Sequence, residues 1–173
     1  MSEQGDTCAW FGRLIEWDTR AIGLAIDSIQ SARDHLERGG EAAEAAPVVK
    51  AIEIMAHVLC ARRIWLSRLG VGDPPEEIFP PAWPMDRLRA EAGEIAGLWR
   101  GYASRLTAAE LGREAQYRST EGSAWVTRID DILLHVLTHS HYHRGQIARL
   151  VAEAGGEPAA TDYVLGVRTA AKL

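Results

Sequence analysis

Apolar residues recur at helical spacing through four separate stretches of this chain, and clusters of glycine or proline interrupt them. That pattern constrains the fold more than any other feature, because a period near 3.6 residues builds amphipathic helices and leaves little room for a sheet. The first stretch runs from about Thr7 to Arg38, with Leu14, Ile15, Ala21, Ile22, Ala25, Ile26, Ile29 and Leu36 on one side. Asp6 or Thr7 is its candidate cap, and Gly39-Gly40 ends it. After an alanine-rich polar loop, Pro47 suits the first turn of a second helix that reaches Leu69 and stops at Gly70-Val71-Gly72.

Pro74, Pro75, Pro80, Pro81 and Pro84 make the segment 73–84 a loop, since proline lacks the N–H and clashes within a helix. A third helix is expected over Asp86 to Leu106. The segment Leu111 to Thr127 reads differently: Ala115, Tyr117 and Ser119, then Ala124 and Val126, flank Glu121-Gly122. Either a small hairpin or an irregular connection fits. A fourth long helix starts near Arg128, with Thr127 as candidate cap and Asp130 and Asp131 in its first turn, and ends at Gly155-Gly156. Asp162-Tyr163-Val164-Leu165 suits one short helix. The expectation is an all-α four-helix bundle forming a single domain over residues 1–173, with at most one hairpin.

Nineteen basic against 24 acidic residues give a formal charge of −5, and no basic block stands out, which disfavours a nucleic-acid partner. Cys8 and Cys60 are far apart and outside any CxxC motif, so no disulfide framework is indicated. The polar start Met1-Ser2-Glu3-Gln4-Gly5-Asp6 lacks the apolar core of a signal peptide, and no apolar run reaches membrane-spanning length. A soluble cytoplasmic protein with no membrane partner is the expectation.

Four of the six histidines fall within nine residues: His135, His139, His141 and His143. His135, His139 and His143 are spaced by four, which stacks them on one helix face, while His141 points elsewhere. Measured from the centre of the apolar stripe, His143 lies about 40°, His139 about 80° and His135 about 120° away. Imidazoles turned inward need hydrogen-bond or metal partners. A helix pair plus one distant histidine is a common route to a three-nitrogen metal site with an open position. His57, among Ile52, Ile54, Val58 and Leu59 in the second helix, is the distant candidate. The other reading of His57 is a core histidine satisfied by a backbone carbonyl. His35, beside Asp34, Glu37 and Arg38, reads as part of a solvated helix end.

The run from Leu134 to Ile147, with His139-x-x-x-His143-Arg144-Gly145-Gln146 at its core, resembles the DinB-like (DinB/YfiT) metalloprotein superfamily. The likeness extends to Gly155, the following Pro158 and Asp162-Tyr163, and more loosely to His57 with Trp65, Leu66 and Leu69, and to the Trp17 region. It implies a four-helix bundle, one divalent metal held by His57, His139 and His143, and often a homodimer. It implies no polymerase chemistry. Zinc or nickel suits three nitrogens best, with iron, manganese or copper as alternatives.

Around these ligands, Asp131 and His135 form a one-turn string that either orients a ligand or reflects a favourable helix start. Gln146 either faces the metal pocket or bonds a neighbouring helix. Gly145 in mid-helix suggests close packing, Arg144 suits a structural role, and Glu53 and Cys60 are placed to border His57. Trp83 and Trp125, in loops, are candidates for a pocket rim.

Three neutral imidazoles leave a divalent ion its full charge and an open position. That position acidifies a bound water or holds a thiol as thiolate. The resemblance favours the thiol route, since relatives include transferases and an isomerase that use low-molecular-weight bacterial thiols. A small-molecule S-transferase is therefore the first expectation. A hydrolase using metal-bound water and a non-catalytic stress-response protein with a structural metal are the alternatives. No His-Glu-x-x-His motif is present, so a zincin protease is not supported.

Overall fold

Four long helices carry the structure: α1 (Glu3–Arg38), α2 (Ala46–Arg68), α3 (Met85–Ala103) and α5 (Ile129–Glu153). A short α4 (Ala108–Gly112) and a hairpin of β1 (Glu114–Arg118) and β2 (Ala124–Arg128) sit between α3 and α5, and a short α6 (Tyr163–Val167) follows. The computed structural model describes residues 3–40, 45–75, 81–119 and 121–169. The expected polar loop after Gly40, at 41–44, lies outside the described residues, as does the part of the proline-rich segment at 76–80. The rest of that segment, 73–75 and 81–84, is non-helical.

The helices form a bundle in which α5 packs on α1 and α2, and α3 packs on the same two helices from the other side. Ile26, Ile29, Met55, Leu59, Leu66, Leu88, Ile95, Trp99, Ile129, Ile132 and Leu133 are almost wholly buried between them. No helix among the described residues is long and apolar enough to cross a membrane.

Several local expectations are corrected. The first helix begins at Glu3, so Asp6 and Thr7 lie inside it and do not cap it. Pro47 does occupy the first turn of α2. The third helix stops at Ala103, three residues short of Leu106, because Thr107 starts α4 by accepting a hydrogen bond from the Glu110 N–H. Thr127 is not the cap of α5. It lies in β2, where its hydroxyl meets Tyr117 Oη at 3.1 Å, and Arg128 takes the capping position without a side-chain cap.

The hairpin pairs Tyr117 with Trp125 and turns at Gly122, whose φ of 91° favours glycine. Ala115 and Leu111 anchor this region in the core. Trp83 also belongs to the core, at 4 % exposure beneath the Arg87 guanidinium, whereas Trp125 is 56 % exposed.

Gly145 is not closely packed: it is exposed, and an added β-carbon would meet nothing within 4 Å. The tight glycines are Gly166 in α6, where a β-carbon would stand 2.1 Å from the Trp17 ring, and Gly156, where one would stand 2.7 Å from the Ala32 β-carbon. Glycine inside an exposed helix costs about 1 kcal/mol relative to alanine. Gly145→Ala is therefore expected to raise stability by up to about 1 kcal/mol, read as an increased midpoint in thermal or urea unfolding.

Candidate metal centre

Two facing rows of side chains build the centre. On α2, His57, Ala61, Trp65 and Arg68 follow one another at steps of four, four and three residues and share one face. On α5, His135, His139 and His143 form the opposing row. Packing of α2 on α5 brings His57 to the other two: its ring centroid is 5.0 Å from that of His139 and 4.8 Å from that of His143, and His139 and His143 are 4.5 Å apart. One nitrogen from each ring lies within 4.8 Å of the others, and all three residues are half-buried.

The donor set fits a divalent ion. His57 Nε2 and His139 Nε2 face each other at 3.0 Å, close to the roughly 3.3 Å separating two nitrogens bound at about 2.0–2.1 Å around a tetrahedral ion. The ligand form of imidazole is neutral, and the surroundings favour it. Burial lowers the pKa of His57, aided by His143. Burial, together with the neighbouring histidines, lowers that of His139 to about 4.

His143 Nδ1 lies 2.8 Å from Gln146 Oε1. A carbonyl oxygen only accepts, so Nδ1 carries the proton and Nε2 presents its lone pair. Gln146 thus holds the ring and selects its tautomer, a role typical of groups that support metal ligands.

The remaining candidates are distributed around this core. His135 stands apart from the three-nitrogen cluster, exposed, with its ring 5.4 Å from Trp65 and 5.7 Å from His139. Burial and the Arg68 charge lower its pKa. Asp131 is exposed near the start of α5, where its backbone N–H donates to Asp130. His141 faces a different groove, lined by Trp10, Leu14 and Trp17 of α1. Glu53 borders the cluster within a cavity, and Cys60 is fully buried.

A model of the DinB family matches residues 15–172. This chain belongs to the DinB family. It is also similar to Protein DinB of Bacillus subtilis (strain 168), with 34% identity over 56 residues. That stretch is 32% of this chain and 33% of the relative, so the match spans about a third of the curated protein's length. No solved structure matches the chain significantly.

In this DinB-family chain a buried charge cluster supports the histidines. Asp18 of α1 accepts one hydrogen bond from Arg62 of α2 at Oδ2 and one from Arg144 of α5 at Oδ1. All three side chains are at most 4% exposed. Arg144 immediately follows His143, and Arg62 lies five residues beyond His57. Sequence reasoning considered Arg144 but passed over Asp18 and Arg62, because isolated charges on amphipathic helices ordinarily face solvent.

Two sets of measurements test this construction. Asp18→Ala leaves two buried guanidinium groups without their carboxylate, so a loss of about 3–5 kcal/mol is expected in urea unfolding. His139→Ala or His143→Ala should abolish stoichiometric binding of zinc or nickel in elemental analysis and calorimetry, His57→Ala should weaken it severely, and His141→Ala should leave it unchanged. Gln146→Ala should weaken binding by about 10–100-fold.

Proposed function

We propose that this protein is a metal-dependent enzyme that transfers a low-molecular-weight thiol onto an electrophilic small molecule, with His57, His139 and His143 holding zinc or nickel. The observation that supports transfer is that two cavities meet at His57, one also reaching His143 and the other His139. One, of about 390 Å³, is lined by Lys50, Glu53, Ile54, His57, Pro81, Ala82 and His143. The other, of about 350 Å³, includes His57, His139, Trp65 and Trp125. Hydrolysis needs room for one organic substrate and water, whereas transfer needs room for two reactants.

Held by His57, His139 and His143, the ion would supply Lewis acidity that lowers the proton affinity of a thiol beside it. The chain's own residues do the rest. The neutral rings of His57 and His139 keep their lone pairs available, and Gln146 fixes His143 in the tautomer with Nε2 unprotonated. Lys50 and Glu53, paired at 2.9 Å on the rim of the first cavity, suit the carboxylate and amine of a cysteine-derived thiol. The thiol proton passes to solvent. The sulfur then forms a bond to the electrophilic carbon as a carbon–halogen bond breaks and halide leaves, or as an epoxide C–O bond breaks and the alkoxide takes a proton.

A homodimer belongs to the same proposal. Trp10, Leu134, Tyr142 and Val164 leave large apolar side chains exposed, which supports a covering partner. Light scattering should give twice the 19.0 kDa chain mass.

The activity test supplies metal-loaded protein with bacterial thiols and a haloarene or epoxide. Thiol consumption that requires both metal and His139 is the expected result. Substrate loss without thiol would replace transfer by hydrolysis. No turnover across a broad panel, with metal removal lowering only thermal stability, would leave a structural metal.

A further inference from the structure

The second cavity contains a cation that has no acidic partner among the described residues. Arg68, half-buried at the end of the α2 row, has its guanidinium carbon 4.6 Å from the ring centroid of Trp65 and 4.7 Å from that of Tyr117. Its Nη2 donates to the Arg118 carbonyl at 2.8 Å, which uses one of five N–H donors. No carboxylate among the described residues pairs with it, in contrast to Arg63, Arg89, Arg100, Arg113 and Arg128, each of which holds an acidic partner. Among the described residues the cavity lining has no Asp or Glu: it comprises His57, Ala61, Ile64, Trp65, Arg68, Tyr117, Ser119, Trp125, His135 and His139. Burial lowers the pKa of Arg68, partly offset by Tyr117.

The aromatic groups in this cavity come from two independent elements. Trp65 belongs to α2, while Tyr117 and Trp125 are cross-strand partners in the hairpin. Trp125 is 56 % exposed, so its ring is accessible to a molecule in the cavity it lines. Aromatic faces favour flat molecules, and a planar guanidinium suits a carboxylate, which it can bind through two parallel N–H···O bonds.

We infer that this cavity is the subsite for the electrophilic substrate, and that Arg68 receives the carboxylate of a planar aromatic or conjugated acid lying between Trp65 and Trp125. The far end of such a molecule reaches His57 and His139, which line the same cavity. This rests on the transfer reading for the role of the ligand as substrate. Its recognition of a planar carboxylate is a separate equilibrium property of the cavity. Arg68 is a specificity-determining residue here and takes no part in bond making.

The test is calorimetric titration of metal-free and zinc-loaded protein with trans-cinnamate, cinnamamide and cyclohexanecarboxylate. Wild type should bind cinnamate at least tenfold more tightly than either comparator, with a preference over the amide that survives metal removal. Arg68→Gln should remove the preference for cinnamate over cinnamamide, and Arg68→Lys should keep part of it. Trp125→Ala, at an exposed position that leaves the core intact, should weaken cinnamate and cinnamamide alike. Zinc stoichiometry should be unchanged in all three variants.

Equal binding of acid and amide by wild type would overturn the inference. So would cinnamate binding that needs zinc and ignores Arg68→Gln, since the carboxylate would then be bound by the ion alone. Absence of measurable cinnamate binding at millimolar concentration would also overturn it. Failure of the transfer reading would show separately, as absent thiol consumption by protein that still binds cinnamate through Arg68.

Discussion

Asp18 joins the three helices on which the rest of the structure depends. Its two carboxylate oxygens accept from Arg62 of α2 and Arg144 of α5, in a setting from which water is excluded. Burying charge is costly, and the cost is offset only when the partners meet in good geometry. A helix that slid by one residue would move its guanidinium by about 1.5 Å and turn it by about 100°, breaking the contact. The Trp99 face, 5.2 Å from the Arg62 guanidinium carbon, stabilises that cation further and brings α3 into the same arrangement. Because Arg144 is bonded to His143 in sequence and Arg62 lies little more than one turn past His57, the ionic contact also sets the register of the histidines.

Such a register has an energetic consequence at the three-histidine cluster. Three imidazoles brought this close cannot all be cationic, and each ring that becomes neutral needs somewhere to direct its lone pair. Gln146 accepts the hydrogen bond of the His143 Nδ1–H, which leaves that ring's lone pair on Nε2. His57 and His139 are left with Nε2 atoms that face each other at 3.0 Å. Without an ion they share at most one proton between two lone pairs. The fold therefore holds in advance an arrangement whose nitrogen donors are best satisfied by a cation, and folding energy from elsewhere maintains it.

What was legible in the sequence follows from the range of the interactions involved. Helical periodicity over α1, α2, α3 and α5 is local, and so is the four-residue spacing of His139 and His143; both could be read directly. Gln146, three residues from His143, was within local reach but carried two readings that only side-chain geometry separates. Asp18 and Arg62 were not legible, and the structural role expected of Arg144 lacked its partner, because these contacts span 44 and 126 residues and a lone charge looks like part of a solvated face. Gly145 misled for a related reason: mid-helix glycine signals close approach only when another element stands opposite, and none does. Trp83 and Trp125 both fall outside the long helices, yet one is core and the other exposed. Whether a loop passes over the bundle or beside it is a tertiary fact.

The hairpin shows how a bundle acquires a pocket at its surface. Two helices packed side by side present a shallow groove, so histidines on their facing edges would remain open to water on one flank. Here β2 runs into α5 without an intervening loop, Arg128 being both its last residue and the capping position of the helix. The Ile129 N–H, donating to Arg113 O at 3.0 Å, ties the entrance of β1 to the first turn of α5. The orientation of the hairpin is thus set by the helix that carries His135, His139 and His143. With Ala115 anchored in the core, Tyr117 packs edge-on against Trp65, their centroids 5.0 Å apart, and Arg68 donates to the Arg118 carbonyl. These contacts hold the hairpin across the open flank of the α2–α5 groove. The same helix therefore positions both His139 and His143 and the wall of the cavity beside them, so a change in the docking of α5 would move histidines and wall together.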